Sequence, residues 1–442
     1  MTRPTALYVG DNTDGGNWGG RAQSLALMSL LGERFEITGT VPGAVVMGGG
    51  PYVRTMLPSL VAHALFYRRD RGGWVEALVR MQERLGARDY ITGNPVESAE
   101  TILKYADKFP LLGRLRQQLE EADVIVVNGE GSGIFSTPYR RDFFFYLGIA
   151  ELGLRLGKTV YFINTIFSDC PVTGRNTESL RAAEAVLSRC ADVHVRDPYS
   201  VEYAAETMPS VRCRHVPDAL FSWFDRVQDP AFLPPAVGDF AIPNPEEDAR
   251  WFGRLDFARP YICVGGSSLA AHDPARAHAT FRRLVERMAD LDTAVYVIQT
   301  CGGDRFLKQV VAETGAGFVP LKCPIVMATA ILTNARLLVS GRFHPTILAS
   351  LGGTPCLFLE AHSHKMKSLQ QSLGYEDEPM FSTFPDDAEV ERIVGRCRVV
   401  LDRAASDPGV RERIRSAARA RAAEAAQTAE LLWARLPTAL HA

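Results

Sequence analysis

The chain has 442 residues, 46% apolar and 23% charged, with a formal net charge of −2; these are ordinary globular values, and the length suits two domains. Without a basic tail or Lys/Arg block, attachment to nucleic acid by bulk electrostatics is excluded, while a local cationic pocket is not. No apolar run approaches the ~20 residues that span a bilayer, and Met1–Thr5 leads straight into a strand without the apolar stretch of a signal peptide. The expectation is a cytoplasmic protein that can still meet a lipid-linked substrate at the inner face of the membrane. Eight scattered cysteines (170, 190, 213, 263, 301, 323, 356, 397), none in a C-x-x-C pair, read as small buried hydrophobes rather than a disulfide frame or zinc site.

Apolar runs of strand length alternate with amphipathic stretches of helix length, the pattern of β-α-β units and a parallel sheet. In the first half the expected strands are Ala6–Val9, Phe35–Thr38, Val124–Val127, Thr159–Ile163 and Val193–Val195, with helices at Ala22–Leu31, Phe143–Leu156 and Glu178–Leu187. The first strand runs into Gly10-Asp11-Asn12-Thr13-Asp14-Gly15-Gly16-Asn17-Trp18-Gly19-Gly20. Glycines allow close backbone approach, but the spacing is not G-x-G-x-x-G and two aspartates repel phosphate. A sugar acceptor held by Asp14 and Asn17 fits this loop, and a plain flexible turn also fits. Residues 43–120 break the alternation: Gly48–Gly50 marks a turn, and Met56–Phe66, Trp74–Leu85 and Ala99–Leu119 read as an inserted helical layer.

Beyond the strand Val124–Val127 stands Asn128-Gly129-Glu130-Gly131-Ser132-Gly133. A carboxylate between two glycines at a strand's carboxyl end suits a base for an incoming hydroxyl, or else a capping or hinge carboxylate. Asn128 and Asp169 are further acceptor-side candidates. Arg196, in Arg196-Asp197-Pro198-Tyr199-Ser200, offers a planar fork for carboxylate or phosphate, or pairs structurally with Asp197. Asp218 is a further candidate on a loop.

Six prolines between 226 and 260 mark a linker. Strands resume at Tyr261–Val264, Ala294–Ile298, Gly317–Val319, Leu337–Val339 and Cys356–Leu359, with a helix capped by Asp273-Pro274. Ser340-Gly341-Arg342-Phe343-His344-Pro345-Thr346 joins a buried strand to a short helix ending at Gly352-Gly353. Pro345 fits a first helical turn, so Arg342 and His344 stand beside a helix N-terminus, which attracts anions. Lys365 follows the next strand, at the edge where open α/β sheets bind ligands; Lys367 reads as its solvated neighbour. His362 and His364 suggest a metal site only weakly, since no carboxylate spacing supports one. Pro408–Leu436, rich in Ala and Arg, is expected to be a helix on a domain surface.

At these residues the chain resembles the polysaccharide pyruvyl transferase family. Ser340-Gly341-Arg342-Phe343-His344 is similar to its S-x-R-x-H turn, Gly353-Thr354-Pro355 to its G-T-P, and Lys365-Met366-Lys367-Ser368-Leu369 to its K-V-x-x segment. Val195–Ser200 resembles its V-R-D-x-x-S, Pro217-Asp218 its D-P/D-A element, and Asn17-Trp18-Gly19-Gly20 its N-x-G-D opening, so that the likeness runs patchily over about residues 10–375. Departures fall in the first half: Gly129-Glu130-Gly131 where many members have G-G-G, Asn164–Pro171 in place of G-x-G-P, and Gly20-Arg21 in place of G-D.

The resemblance implies two Rossmann-like domains with parallel sheets facing a cleft, as in GT-B glycosyltransferases. It implies transfer of the enolpyruvyl group of phosphoenolpyruvate to a sugar of a surface polysaccharide or glycolipid precursor as a ketal. Carried over, Arg196, His344 and Lys365 match the family's phosphoenolpyruvate-handling residues, His344 as general acid or as holder of the departing phosphate. The residues themselves add Arg342 as a donor ligand and Glu130 as the base, and the scheme requires no metal or cofactor. A GT-B glycosyltransferase with a nucleotide-sugar donor is the alternative, in which Glu360 would grip ribose. A non-catalytic sugar-binding protein is a third reading, which the cations at 196, 344 and 365 oppose. The expected domains are 1–225 with an insertion at about 51–120, a linker at 226–260, a donor-side domain at 261–385 and C-terminal helices at 386–442.

Overall fold

The computed structural model describes residues 3–43, 90–233 and 255–441. The turn at Gly48–Gly50, the expected helices Met56–Phe66 and Trp74–Leu85, and the middle of the proline-rich linker lie outside them. The chain divides into two compact units, one taking residues 1–15, 31–216 and 428–442, the other 16–30 and 217–427.

The first unit is built on six parallel strands, β1 (Thr5–Asp11), β2 (Glu36–Pro42), β3 (Val124–Asn128), β5 (Thr159–Thr165), β7 (Asp192–Val195) and β8 (Cys213–His215), in the order β2-β1-β3-β5-β7-β8. Two short strands, β4 (Ile134–Phe135) and β6 (Ser168–Asp169), pair separately. β3 is buried along its whole length, as expected of a parallel strand covered on both faces. Leu7, Val9, Ile125, Val127 and Phe162 pack with Phe143, Phe144, Leu147 and Leu152 of helix Arg141–Arg155. Of the insertion, the described part is two helices, Pro95–Tyr105 and Pro110–Glu121, where a single stretch at 99–119 was expected. Pro110 opens the second, because a proline interior to a helix costs a hydrogen bond. Asn94 caps the first with its side-chain oxygen on Val96 and Glu97 N–H.

The second unit repeats the scheme with β9 (Tyr261–Ser267), β10 (Ala294–Ile298), β11 (Gly317–Val319), β12 (Leu337–Gly341), β13 (Cys356–Leu359) and β14 (Met380–Phe381), all parallel, in the order β11-β10-β9-β12-β13-β14. Ile262, Val264, Val297, Val339 and Leu359 pack with Phe281, Leu284 and Val285 of helix Pro274–Met288 and Ile393, Val394 and Cys397 of helix Asp387–Ser406. Asp273 caps the former through Arg276 N–H at 3.0 Å. The last segment is two helices, Gly409–Ala425 and Thr428–Trp433, rather than one.

The unit boundaries differ from the expected domains. Helix Trp18–Leu31 follows β1, yet its first thirteen residues group with the second unit, where Trp18 Nε1 and Arg21 Nη2 both donate to Leu321 O at 2.9 Å. Residues from Thr428 return to the first unit, where Trp433 meets Phe35 edge to face and Arg34 pairs with Glu430. Sequence order shows where a helix begins; its apolar face decides which core it joins.

Strand order also locates the ligand edges. In the first sheet the order reverses between β1 and β3, and in the second between β9 and β12. Open α/β sheets bind ligands outside the carboxyl ends of strands at such reversals. Gly10–Gly15 and Asn128–Gly133 flank the first reversal, and Ser267–Leu269 and Arg342–His344 the second.

Candidate functional site

At the second sheet's edge, Arg342 is the N-cap residue and His344 the second residue of helix Phe343–Leu351. Both side chains are nearly buried and both have a carboxylate. Arg342 donates through Nε and Nη2 to Asp304 Oδ1 at 3.2 and 2.6 Å. Asp304 is fully buried and also accepts from Thr300 N and Oγ1 at 3.2 and 2.9 Å. Burial pulls the Arg342 pKa down, but Asp304 outweighs it, so the guanidinium stays charged. Its charge is therefore already balanced within the protein.

His344 Nε2 lies 3.2 Å from Oδ2 of fully buried Asp218. A carboxylate only accepts, so Nε2 carries the hydrogen. Asp218 Oδ1 accepts from Leu220 N at 3.0 Å, which locks the carboxylate in place. On the other side the imidazole lies against Gly19. A Cβ there would overlap His344 Nδ1 and come within 2.6 Å of Cγ, so only glycine fits. An imidazole fixed by a buried carboxylate has a defined tautomer and orientation, the logic of a general acid–base histidine.

Lys365 is half-buried and opens helix Lys365–Ser372, with Lys367 exposed. The loop before it is tied to the end of β9, where Ser268 Oγ accepts from His362 N at 3.1 Å. Glu360 is exposed at the end of β13, and its carbonyl accepts from Ser267 and Thr383 hydroxyls at 2.5 and 2.8 Å. Among the described residues no group of three or more His, Cys, Asp or Glu is placed to hold a metal ion.

At the first sheet's edge, Glu130 accepts from Asn12 Nδ2 at 2.9 Å. Asn128, fully buried, donates to Tyr8 OH at 2.9 Å and to Gly10 O at 3.1 Å, and Asn164 Nδ2 reaches Asn128 Oδ1 at 3.4 Å. Nearby Tyr146 is kept a phenol by burial first, and then by Asp142, Glu130 and Tyr8. Arg196 is buried at the end of β7; a Cβ on Gly131 would be 3.4 Å from its Nη2, which places the guanidinium beside the Glu130 turn. Asp197 caps helix Pro198–Thr207 through Ser200 N and Oγ at 2.9 and 2.8 Å.

The nine residues singled out from sequence separate accordingly. Glu130, Asn128 and Arg196 share the first unit's edge, while His344, Arg342 and Lys365 belong to the second unit. Asp14 is exposed in the first unit; Asn17, also exposed, groups with the second and caps helix Trp18–Leu31 through Gly19 N at 2.9 Å. Asp169 is occupied by Arg175 Nε at 3.0 Å and Tyr203 OH at 2.5 Å. Sequence reasoning missed Asn12, Gly19 and Asp304, and the pairing of Asp218 with His344. Asp304 carried a signal, an acid behind two glycines in the loop after a strand, much as Glu130 stands between two glycines after β3.

Two parallel six-stranded sheets with ligand edges at their order reversals define a GT-B-like α/β protein. The sequence profile of the polysaccharide pyruvyl transferase family matches residues 74–363, and the chain belongs to that family. The match takes in Glu130, Arg196, Arg342 and His344 and stops two residues short of Lys365. Solved structures share the fold. A UDP-GlcNAc 2-epimerase from Neisseria meningitidis bound to UDP-GlcNAc has a TM-score of 0.54 at 10% identity, covering 98% of this chain and 100% of its own. Anabaena HepE, solved with UDP and glucose, has a TM-score of 0.52 at 13% identity with the same coverages. At these identities the likeness concerns fold alone. No curated protein matches the chain. Among the described residues no helix is long and apolar enough to cross a membrane.

Proposed function

We propose that this chain transfers the enolpyruvyl group of phosphoenolpyruvate to a sugar of a surface polysaccharide or lipid-linked glycan precursor, closing a ketal. The observation that carries the reading is the buried Asp218–His344 pair at the order reversal of the second sheet, with Lys365 at the neighbouring strand end. Phosphoenolpyruvate carries a carboxylate and a phosphate, and cations that pre-exist in fixed positions stabilise it at no reorganisation cost. Lys365 is the principal counter-charge and Arg196 a further donor ligand. Arg342, balanced by Asp304, chiefly holds the turn.

The chemistry balances without a redox step. One acceptor hydroxyl adds to C2 as C3 takes a proton; phosphate leaves from C2, and a second hydroxyl takes its place. Of the two hydroxyl protons lost, one is replaced on the new methyl group and the other departs on phosphate. His344 supplies the proton to C3 as general acid, with Asp218 positioning its ring. Glu130 accepts the proton of the attacking hydroxyl, and Asn128 and Asp14 line the acceptor side.

Thermal unfolding in the presence of phosphoenolpyruvate and of a nucleotide-sugar panel tests the donor. A ligand at 100 times its Kd stabilises the folded state by about 2.7 kcal/mol. The expected result is a shift with phosphoenolpyruvate alone, lost in His344→Ala and Lys365→Ala and weakened in Arg196→Ala. A shift with a nucleotide sugar and none with phosphoenolpyruvate would replace this reading with glycosyl transfer.

A further inference from the structure

Among the described residues only Glu130 and Asn164, at φ 47° and 55°, are non-glycine residues in the left-handed region. Such a conformation costs an ordinary side chain roughly 1–2 kcal/mol, and Glu130 adopts it between two glycines. Glu130 stands two residues beyond β3, at the order reversal of the first sheet, and Asn164 is the penultimate residue of the neighbouring β5; both are joined to the amide network of that edge. Asn164 Nδ2 reaches Asn128 Oδ1 at 3.4 Å, Asn128 Nδ2 reaches Gly10 O at 3.1 Å, and Asn12 Nδ2 reaches Glu130 Oε2 at 2.9 Å. A carboxylate kept in an unfavourable backbone conformation, aimed by a side-chain amide, is arranged for a task that packing does not require.

We propose that Asn12 is the positioning residue of the acceptor side: its amide fixes the Glu130 carboxylate, through the oxygen Oε2, and leaves Oε1 to take the proton of the attacking sugar hydroxyl. This rests on the pyruvyl-transfer reading for the identity of the donor and for Glu130 as the base. Asn12 then acts on the reaction through Glu130, while the same amide also reaches Gly10 O at 3.4 Å and so ties the carboxylate to the end of β1.

The test pairs a spectroscopic readout with a double-mutant cycle on the full chain. The Asn12 side-chain amide signals, assigned by their loss in Asn12→Ala, are expected to move in Glu130→Gln. Phosphate release from phosphoenolpyruvate, with a mixture of methyl hexopyranosides and water as acceptors, is expected to fall roughly 10- to 100-fold in kcat in Asn12→Ala, the scale of a misplaced reacting group. KM for phosphoenolpyruvate should hold, and the double variant should be no slower than Glu130→Gln, because two residues acting as a unit are not additive. Unmoved Asn12 signals, or additive losses, would overturn the proposal. Moved signals with no thermal shift by phosphoenolpyruvate would support the Asn12–Glu130 pairing while overturning the donor.

Discussion

The two sheet edges solve the same problem with different materials. The second sheet's edge is made of two buried pairs, the ion pair of Arg342 with Asp304 and the hydrogen-bonded pair of His344 with Asp218. The first sets amides and phenols, Asn12, Asn128, Asn164, Tyr8 and Tyr146, around the carboxylate of Glu130, with Arg196 and Arg140 beside the turn that carries it. Groups held rigidly by buried partners suit a small doubly anionic donor, because the turn beside it is fixed before the ligand arrives. Neutral donors and acceptors suit hydroxyl groups, which need direction more than charge. Under the proposed function the contrast is that of a donor edge and an acceptor edge, and the variants below attack one side of it or serve as a control away from both.

The largest effect belongs to Asp304→Asn. Asp304 is fully buried and balances a nearly buried arginine; removing one partner of such a pair costs about 3–5 kcal/mol, since the other charge is left stranded. Urea unfolding should show this loss, together with loss of the phosphoenolpyruvate shift as the Arg342 turn gives way. A loss below about 1 kcal/mol would mean that Arg342 finds water on its own.

Next is Gly19→Ala. The added methyl group overlaps an imidazole that cannot retreat, since Asp218 holds its far side. Overpacking of this kind costs about 1–3 kcal/mol, and His344 must leave Asp218 to relieve it. The phosphoenolpyruvate shift should shrink far more than stability does. Full retention of that shift would show that the orientation of His344 does not matter to the donor.

Gly19 also shows where the sequence stopped being legible. Strand positions were read from apolar runs, and Ala294–Ile298, Gly317–Val319 and Cys356–Leu359 fall on their observed bounds because a doubly covered parallel strand has no polar interruption. The short β4, β6, β8 and β14 escaped, being two or three residues long with no periodicity to detect. At the site, the turn carrying Arg342 and His344 was visible through its flanking strand and Pro345. Its partners were not. Asp218 is 126 residues from His344, and Asp304 is 38 from Arg342; no local pattern encodes pairings at that range. The Asp and Asn side chains of Gly10–Gly20 suggest a sugar acceptor, but nothing local to that loop shows that the helix opened by Asn17 groups with the second unit.

A smaller effect is expected at Glu130. Glycine relieves the left-handed conformation, worth roughly 1–2 kcal/mol, and forfeits backbone rigidity in the unfolded chain, worth roughly 0.5–1 kcal/mol. Glu130→Gly should therefore unfold within about 1 kcal/mol of the parent while phosphate release collapses. Glu130→Ala keeps the strain and loses the Asn12 contact, so it should be the less stable of the two. The reverse order would show that the left-handed backbone at 130 costs an ordinary side chain less than glycine's freedom costs in the unfolded chain.

The smallest effect sharpens the comparison through a second buried histidine–aspartate pair. His194 Nε2 lies 3.1 Å from Asp192 Oδ2, with Arg214 at 3.8 Å and Arg435 at 4.0 Å, but Asp192 begins β7, at the amino end of its strand, away from the ligand edge. Burial pushes the Asp192 carboxyl up, and the hydrogen bond and charge of His194, aided by Arg214, more than reverse this, leaving it below its ordinary 3.8. A carboxyl depressed on folding stabilises the protein above its unfolded value, and the stabilisation fades as pH falls through the folded one. The stability difference between parent and Asp192→Asn should thus be full at pH 7 and shrink below about pH 4. It stays modest because desolvation works against it. Phosphoenolpyruvate should shift Asp192→Asn as it shifts the parent, and fail to shift Asp218→Asn. If both variants lost the shift alike, the Asp218–His344 pair would be one more buried support of the fold, and the donor edge would have to be sought around Lys365 instead.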